Sequence, residues 1–245
     1  MTVRLPWPLR LAMAGALAIA TSFAPSLRAS GLQVSPIGLH LRANAQAEAL
    51  WLTNTGAETI HAQVRVFRWT QRDGKDRYEA SRDLVVSPPM VTIAPGDRQM
   101  VRVIRQAAPP DGAEASYRII VDELPTTRPK GLEFVLRYSI PVFVAPRGDA
   151  SVRATLSARW SDSPEGPRLE VRNEGNGHAQ IADLVRVDDH GRRTSVQPGL
   201  VGYALPGSEM SWPLPPGAAS TRGTLKARIN GETSESTLVA GSGDR

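Results

Sequence analysis

Along most of this chain hydrophobic and polar side chains alternate with a period of two, and no segment sustains a helical repeat. The alternation is plainest over residues 132–145, LEFVLRYSIPVFVA, where Leu132, Phe134, Leu136 and Tyr138 share one side and Glu133, Val135 and Arg137 the other. Successive side chains of a strand point to opposite faces, so such a set forms a row of knobs about 7 Å apart. A row of that kind fills a core, either its own or one belonging to another protein. The same period predicts strands over residues 47–54 and 59–71 around the turn Asn54-Thr55-Gly56. Further strands follow over 84–86, before Pro88-Pro89 interrupts the ladder, and over 99–105 and 115–125. The second half repeats the style, with strands over 152–160, 168–173, 178–187, 193–197 and 210–214 and Gly175-Asn176-Gly177 as a hairpin turn. A hairpin over 224–239 closes it, its Asn230-Gly231 suited to a type I′ turn. Short strands at regular spacing predict an all-β fold of sandwich domains, with Pro146-Arg147-Gly148-Asp149 as the hinge between two halves.

The N-terminus departs from this pattern. Arg4 and Arg10 lead into an apolar run over residues 11–20, followed by Pro25 and the stretch Arg28-Ala29-Ser30. A basic start, a short apolar run and small residues before a polar segment read as a secretory signal peptide over residues 1–30, cleaved after Ala29 or Ser30. The run falls short of the roughly 20 residues that a spanning helix needs, so export without membrane insertion is expected. The mature chain has no cysteine, which removes disulfides, thiol nucleophiles and cysteine-based zinc sites from consideration. It must hold itself together by core burial, and about 215 residues suffice for two domains of that kind. The last residues, 242–245, read as a disordered tail.

Charge adds little. All of the 29 basic residues except Lys75, Lys130 and Lys226 are arginine, scattered singly apart from Arg192-Arg193. Loss of Arg4, Arg10 and Arg28 with the signal takes the formal charge from +5 to +2. No basic stripe with interleaved aromatics is present, which argues against a nucleic-acid partner. His40, His61, His178 and His190 lie at no metal-ligand spacing and read as surface or turn residues. No nucleophile elbow or phosphate-cradling loop occurs, so neither an enzyme, nor a metal, nor a cofactor is expected. Trp51, Trp69, Trp160 and Trp212 read as core or edge packing.

Three strings in order, SPPMVTIAPGDRQMVRV (87–103), SYRIIVDELP (116–125) and LEFVLRYSIPVFVAP (132–146), resemble the first domain of the periplasmic pilus-assembly chaperones of chaperone–usher pathways. LQVSPIGLHL (32–41), LWLTNTG (50–56) and VRNEGNGHAQI (171–181) fit the same family. The resemblance implies two immunoglobulin-like β-sandwich domains in an L or boomerang, over residues 31–147 and 148–241. It also implies a periplasmic chaperone that completes pilin subunits by donor-strand complementation and delivers them to an outer-membrane usher. An exported immunoglobulin-like adhesion or ligand-binding module is the alternative, and it would need no apolar donor row.

By position the resemblance makes Leu132, Phe134 and Leu136 the donors. The family's usual carboxylate anchor, an arginine on the first strand and a lysine late in the donor strand, falls here on Gly38 and Pro141. Neither binds an anion through its side chain. The pattern then resembles the archaic branch, with the pilin's C-terminal carboxylate held by Arg118 and with Arg137 and Arg102 in reserve. Glu123 matches a glutamate of an interdomain ion pair, whose partner here would be Arg147. An exposed donor edge also invites self-capping by dimerisation.

Overall fold

The computed structural model describes residues 31–125, 134–148, 151–215 and 223–239. The expected signal peptide, Leu132 and the expected C-terminal tail lie outside them. Within the described residues all regular structure is strand. In the first half the strands are β1 (Leu32–Ser35), β2 (Leu39–Leu41), β3 (Ala47–Asn54), β4 (Ile60–Arg72), β5 (Lys75–Ala80), β6 (Leu84–Ser87), β7 (Met90–Ile93), β8 (Arg98–Arg105), β9 (Ala115–Leu124) and β10 (Arg137–Val144). In the second they are β11 (Leu156–Ser163), β12 (Gly166–Asn173), β13 (Ala179–Val187), β14 (Arg193–Ala204), β15 (Glu209–Pro213), β16 (Thr224–Ile229) and β17 (Glu235–Val239).

They form four sheets, two in each half. The first has the order β1-β3-β8-β6, and the second the order β2-β10-β9-β4-β5 with β7 also paired to β4. Leu32, Leu50, Leu52, Val101 and Val103 of the first sheet face Val64, Ile119, Val121, Ile140 and Val142 of the second in one apolar core. Alternation produces this directly, because each strand sends every second residue inward. In the second half β11-β12-β15 packs on β14-β13-β16-β17 around Leu169, Val171, Ile181, Leu184 and Leu225. Each fully buried side chain of this size contributes roughly 1.5–3 kcal/mol, which is how a chain without disulfides stays folded.

The two sandwiches share a device. Asn54, at the end of β3, is fully buried and donates to the carbonyls of Glu58 (2.7 Å) and Ile93 (2.9 Å), while its Oδ1 accepts from Gly56 N. Asn173, at the end of β12, donates to the carbonyls of Gly177 (2.7 Å) and Ala204 (2.9 Å), while its Oδ1 accepts from Gly175 N. Both stand in an Asn-x-Gly triplet where the chain leaves one sheet for the other. The expected hairpin at Gly175-Asn176-Gly177 is therefore a crossover, since β12 and β13 belong to different sheets. Asn230 and Gly231 both have positive φ (50° and 70°), and Glu232 N bonds to Ile229 O, as a type I′ turn requires. The turn sits inside a longer loop, because pairing resumes only at Arg228↔Glu235.

Candidate functional site: an open strand edge beside a buried arginine

β10 is paired along its whole length on one side, from Arg137↔Asp122 to Val144↔Ala115 of β9. Its other side meets β2 only at Val142, Phe143 and Val144. Among the described residues, the stretch Arg137–Pro141 is thus an unpaired strand edge. Pro36-Ile37-Gly38, where the first strand switches sheets, borders this gap, and a Cβ on Gly38 would meet the Pro141 ring at 3.8 Å. Ile37 is 81% exposed.

The donor row continues the core-facing side of β10 beyond the protein's own core. Ile140, Val142 and Val144 are buried, Tyr138 and Leu136 pack against the core rim, and Phe134 is 59% exposed. The alternating stretch is longer than the strand: residues 134–136 carry no strand of their own, and β10 starts at Arg137. Two bonds still tie that segment to β9, Glu123 N to Leu136 O (2.9 Å) and Leu136 N to Glu123 Oε2 (3.0 Å). Asp122 accepts from Arg65 (2.6 Å) and from Arg137 across the sheet's outer face. Burial pushes the Asp122 carboxyl up, but the hydrogen bonds and charges of these two guanidinium groups prevail and hold it below its ordinary value. Gln63, Arg65, Asp122, Val135, Leu136 and Arg137 line a cavity of about 420 Å³ at this end of the edge.

Arg118 lies directly across from Pro141 in the β9–β10 register. It is 9% exposed, its guanidinium carbon stands 3.8 Å from the Trp69 ring centroid and 5.0 Å from that of Tyr203, and its buried Nε has no hydrogen-bond partner. It enters none of the ion pairs formed among the described residues. Burying a cation without an anion is unfavourable, so this position is primed for an acidic ligand. The neighbouring Tyr78 hydroxyl is raised by burial and by Asp76, with Arg118 pulling it back.

The other residues expected as anchors are placed elsewhere. Arg137 is committed to Asp122. Arg102 is exposed on β8, opposite Ala49 and Ser87, in the first sheet rather than the one that holds β10. The interdomain pair expected of Glu123 and Arg147 does not form. Glu123 is eight residues along β9 from the end that meets the second half, about 26 Å at strand rise, whereas Arg147 pairs with Asp111 (3.2 Å). The joint is made instead by Glu114, whose Oε2 accepts from His178 N (2.8 Å) and contacts His178 Nδ1 (2.7 Å). His178 stacks on Phe143 with centroids 3.4 Å apart, and His40 stands 5.4 Å from the same ring. His178 is thus a joint residue rather than a surface or turn residue, whereas His40 borders the joint and is exposed, as expected of a surface position. Spacing could not reveal this, because Glu114 and Phe143 belong to the first half of the chain and His178 to the second. Gln71 adds Nε2 to Tyr203 O (2.8 Å) and receives Leu205 N (2.8 Å).

Among the described residues no group of His, Cys, Asp or Glu could hold a metal ion, and no helix is long and apolar enough to cross a membrane. Residues 31–149 match the N-terminal domain family of pili and flagellar-assembly chaperones. A comparison with curated protein sequences finds no match. Among solved structures, the chain is similar to one in the chaperone–tip adhesion subunit pre-assembly complex of archaic chaperone–usher Csu pili from Acinetobacter baumannii. That match has 28% identity and a TM-score of 0.68, covering 84% of this chain and 96% of the other. The complex of SafA pilin with the SafB chaperone from Salmonella enterica matches at 15% identity and TM-score 0.63, covering 88% and 98%. The Escherichia coli chaperone DraB matches at 18% and 0.59, covering 86% and 98%. The last two likenesses concern the fold alone.

Proposed function

This chain belongs to the pilus-assembly chaperones of chaperone–usher pathways, and we propose that it works in the periplasm, lending residues 132–141 to a pilin subunit that lacks a strand and passing it to an outer-membrane usher. The observation that carries this reading is the half-paired β10 with its apolar row running past the core into solvent. An added strand gains backbone hydrogen bonds from such an edge, while alternate side chains fill pockets in the partner. Donor-strand complementation between chaperone and pilin is an established instance of that mode. Leu132, Phe134 and Leu136 are the donors. Burying three such side chains contributes on the order of 5–8 kcal/mol, before the cost of ordering the segment. No nucleotide is required, because one strand is exchanged for another.

Arg118 sets the register. A one-residue slip would turn every donor side chain to the wrong face, so the subunit's end must be fixed. A guanidinium grips a carboxylate through two N–H groups, and the unpartnered Nε beside Pro141 suits the subunit's C-terminal carboxylate. This displaced anchor, together with the similarity to the Csu complex, supports assignment to the archaic branch.

The test is subunit capture by Phe134→Asp. A charge placed in the subunit's apolar groove is strongly unfavourable, yet Phe134 is mostly exposed in the free chaperone. The variant should lose co-purification of pilin-type subunits from the same genome while melting like wild type. Equal recovery at equal expression would sink the donor assignment.

A further inference from the structure

We infer that the carboxylate site is built by both sandwiches, with Tyr203 a positioning residue that couples subunit capture to the joint between them; the inference rests on the reading of Arg118 as the anchor. Arg118 comes from β9, yet the rings around it come from β4 (Trp69) and from β14 of the second half (Tyr203). Tyr203 stands edge-on to Trp69, with centroids 5.3 Å apart and planes at 78°. A guanidinium stacked on aromatic rings keeps its N–H donors free, since they point outward in its own plane. The rings therefore orient the group without using up the bonds a carboxylate needs. That division is what the unpartnered Nε records.

Tyr203 is itself held by the joint. Gln71, two residues from Trp69 on β4, bonds the backbone on both sides of Ala204, at Tyr203 O and Leu205 N. The same amide nitrogen also reaches Asp76, which accepts from Trp69 Nε1 (2.8 Å) as well. A bridge between Gly74, at the tip of the β4–β5 hairpin, and Met210 of β15 runs alongside. Trp69, Phe143, Leu205 and Tyr203 form a small apolar cluster shared by the two halves. If the joint opens, Arg118 loses one of its two rings and gains conformations that do not face the subunit. Coupling between sites is reciprocal, so a carboxylate on Arg118 must tighten the joint by the same factor.

The experiment is a double-mutant cycle of Tyr203→Ala and Arg118→Ala. Affinity is measured for a pilin-type subunit with its native C-terminus and for the same subunit extended by two residues. The expected result is an approximately tenfold loss with Tyr203→Ala for the native subunit, little further loss when Arg118 is already alanine, and little effect on the extended subunit. Tyr203→Phe should bind as wild type, because the ring is retained. In the wild type, hydrogen exchange at the Leu205 amide should slow when the native subunit binds but not when the extended one does. Should Tyr203→Ala prove unstable, Gln71→Ala, which frees the backbone of Tyr203 but keeps its ring, should give a smaller loss with the same dependence on Arg118. Additive losses, or equal losses for both subunits, would overturn the inference and leave Tyr203 a packing residue. Wild-type capture by Arg118→Ala would instead remove the anchor itself, a separate failure.

Discussion

At the scale of single residues, two polar side chains carry much of the architecture. Asn54 and Asn173 each donate to two main-chain carbonyls at a sheet-to-sheet crossing, one of Asn54's and both of Asn173's being buried bonds. Replacing either by alanine strands those acceptors, at about 1–3 kcal/mol each. Asn173→Ala should therefore lower the urea midpoint clearly, whereas alanine at the exposed Arg192 should shift it little. Asp122 makes a pH-dependent contribution. Its native pKa is depressed, so its stabilisation is complete above the unfolded value of about 3.9 and is lost as pH falls through the lower native one. Asp122→Asn should cost about 1 kcal/mol at neutral pH, a modest figure because Arg65 and Arg137 are solvated. The difference from wild type should vanish in urea titrations carried below that window; a difference constant with pH would contradict the account. The family resemblance singled out Arg118 on the strand expected to pair with the donor strand, as β9 does with β10, but gave no sign of Tyr203, which lies 85 residues onward and reaches it only through the joint.

At the scale of elements, alternation was a faithful guide to the longer strands of the first half and to β13, while the short β1 and β7, each with one buried face, went unpredicted. Residues 47–54 coincide with β3, β8, β9 and β13 differ from expectation by one residue at one end, and β4 is shifted by one residue at both. It failed where neither face is buried: all six residues of β5 are exposed, so KDRYEA shows no apolar rhythm. It stopped early in β14, where Pro198-Gly199 looks like a break. The strand continues through it because Asp183, itself at φ 53°, opens irregular pairing with β13 and accepts Gly199 N. It overran in β10, where among the described residues the row at 134–136 joins no strand. Leu136 is a poorer test of that row than Phe134, because it also packs on the chaperone's core. Leu136→Asp should lower thermal stability as well as capture, whereas Phe134→Asp should affect capture alone.

At the scale of the whole molecule, the open edge, the buried arginine and the joint lie in one line along β9 and β10. The joint is at Ala115↔Val144, the arginine at Arg118↔Pro141, and the free edge runs from there to Arg137 and beyond. A subunit seated on that line would have its terminal carboxylate at the corner and its unfinished core against the exposed donors. Of this layout the sequence shows the donor row and the family resemblance. Glu114–His178 and Gln71–Tyr203 are invisible to it, because pairing between domains leaves no periodic trace. The central claim is that a subunit adds itself to β10, and hydrogen exchange across residues 134–141, free and with a bound pilin-type subunit, tests it most directly. Amides on the open side should exchange readily in the free chaperone and slow by at least about tenfold in the complex, with Pro141, which has no amide hydrogen, as a silent position. Unchanged exchange over 134–141 in a stable complex would place the subunit elsewhere and contradict donor-strand capture.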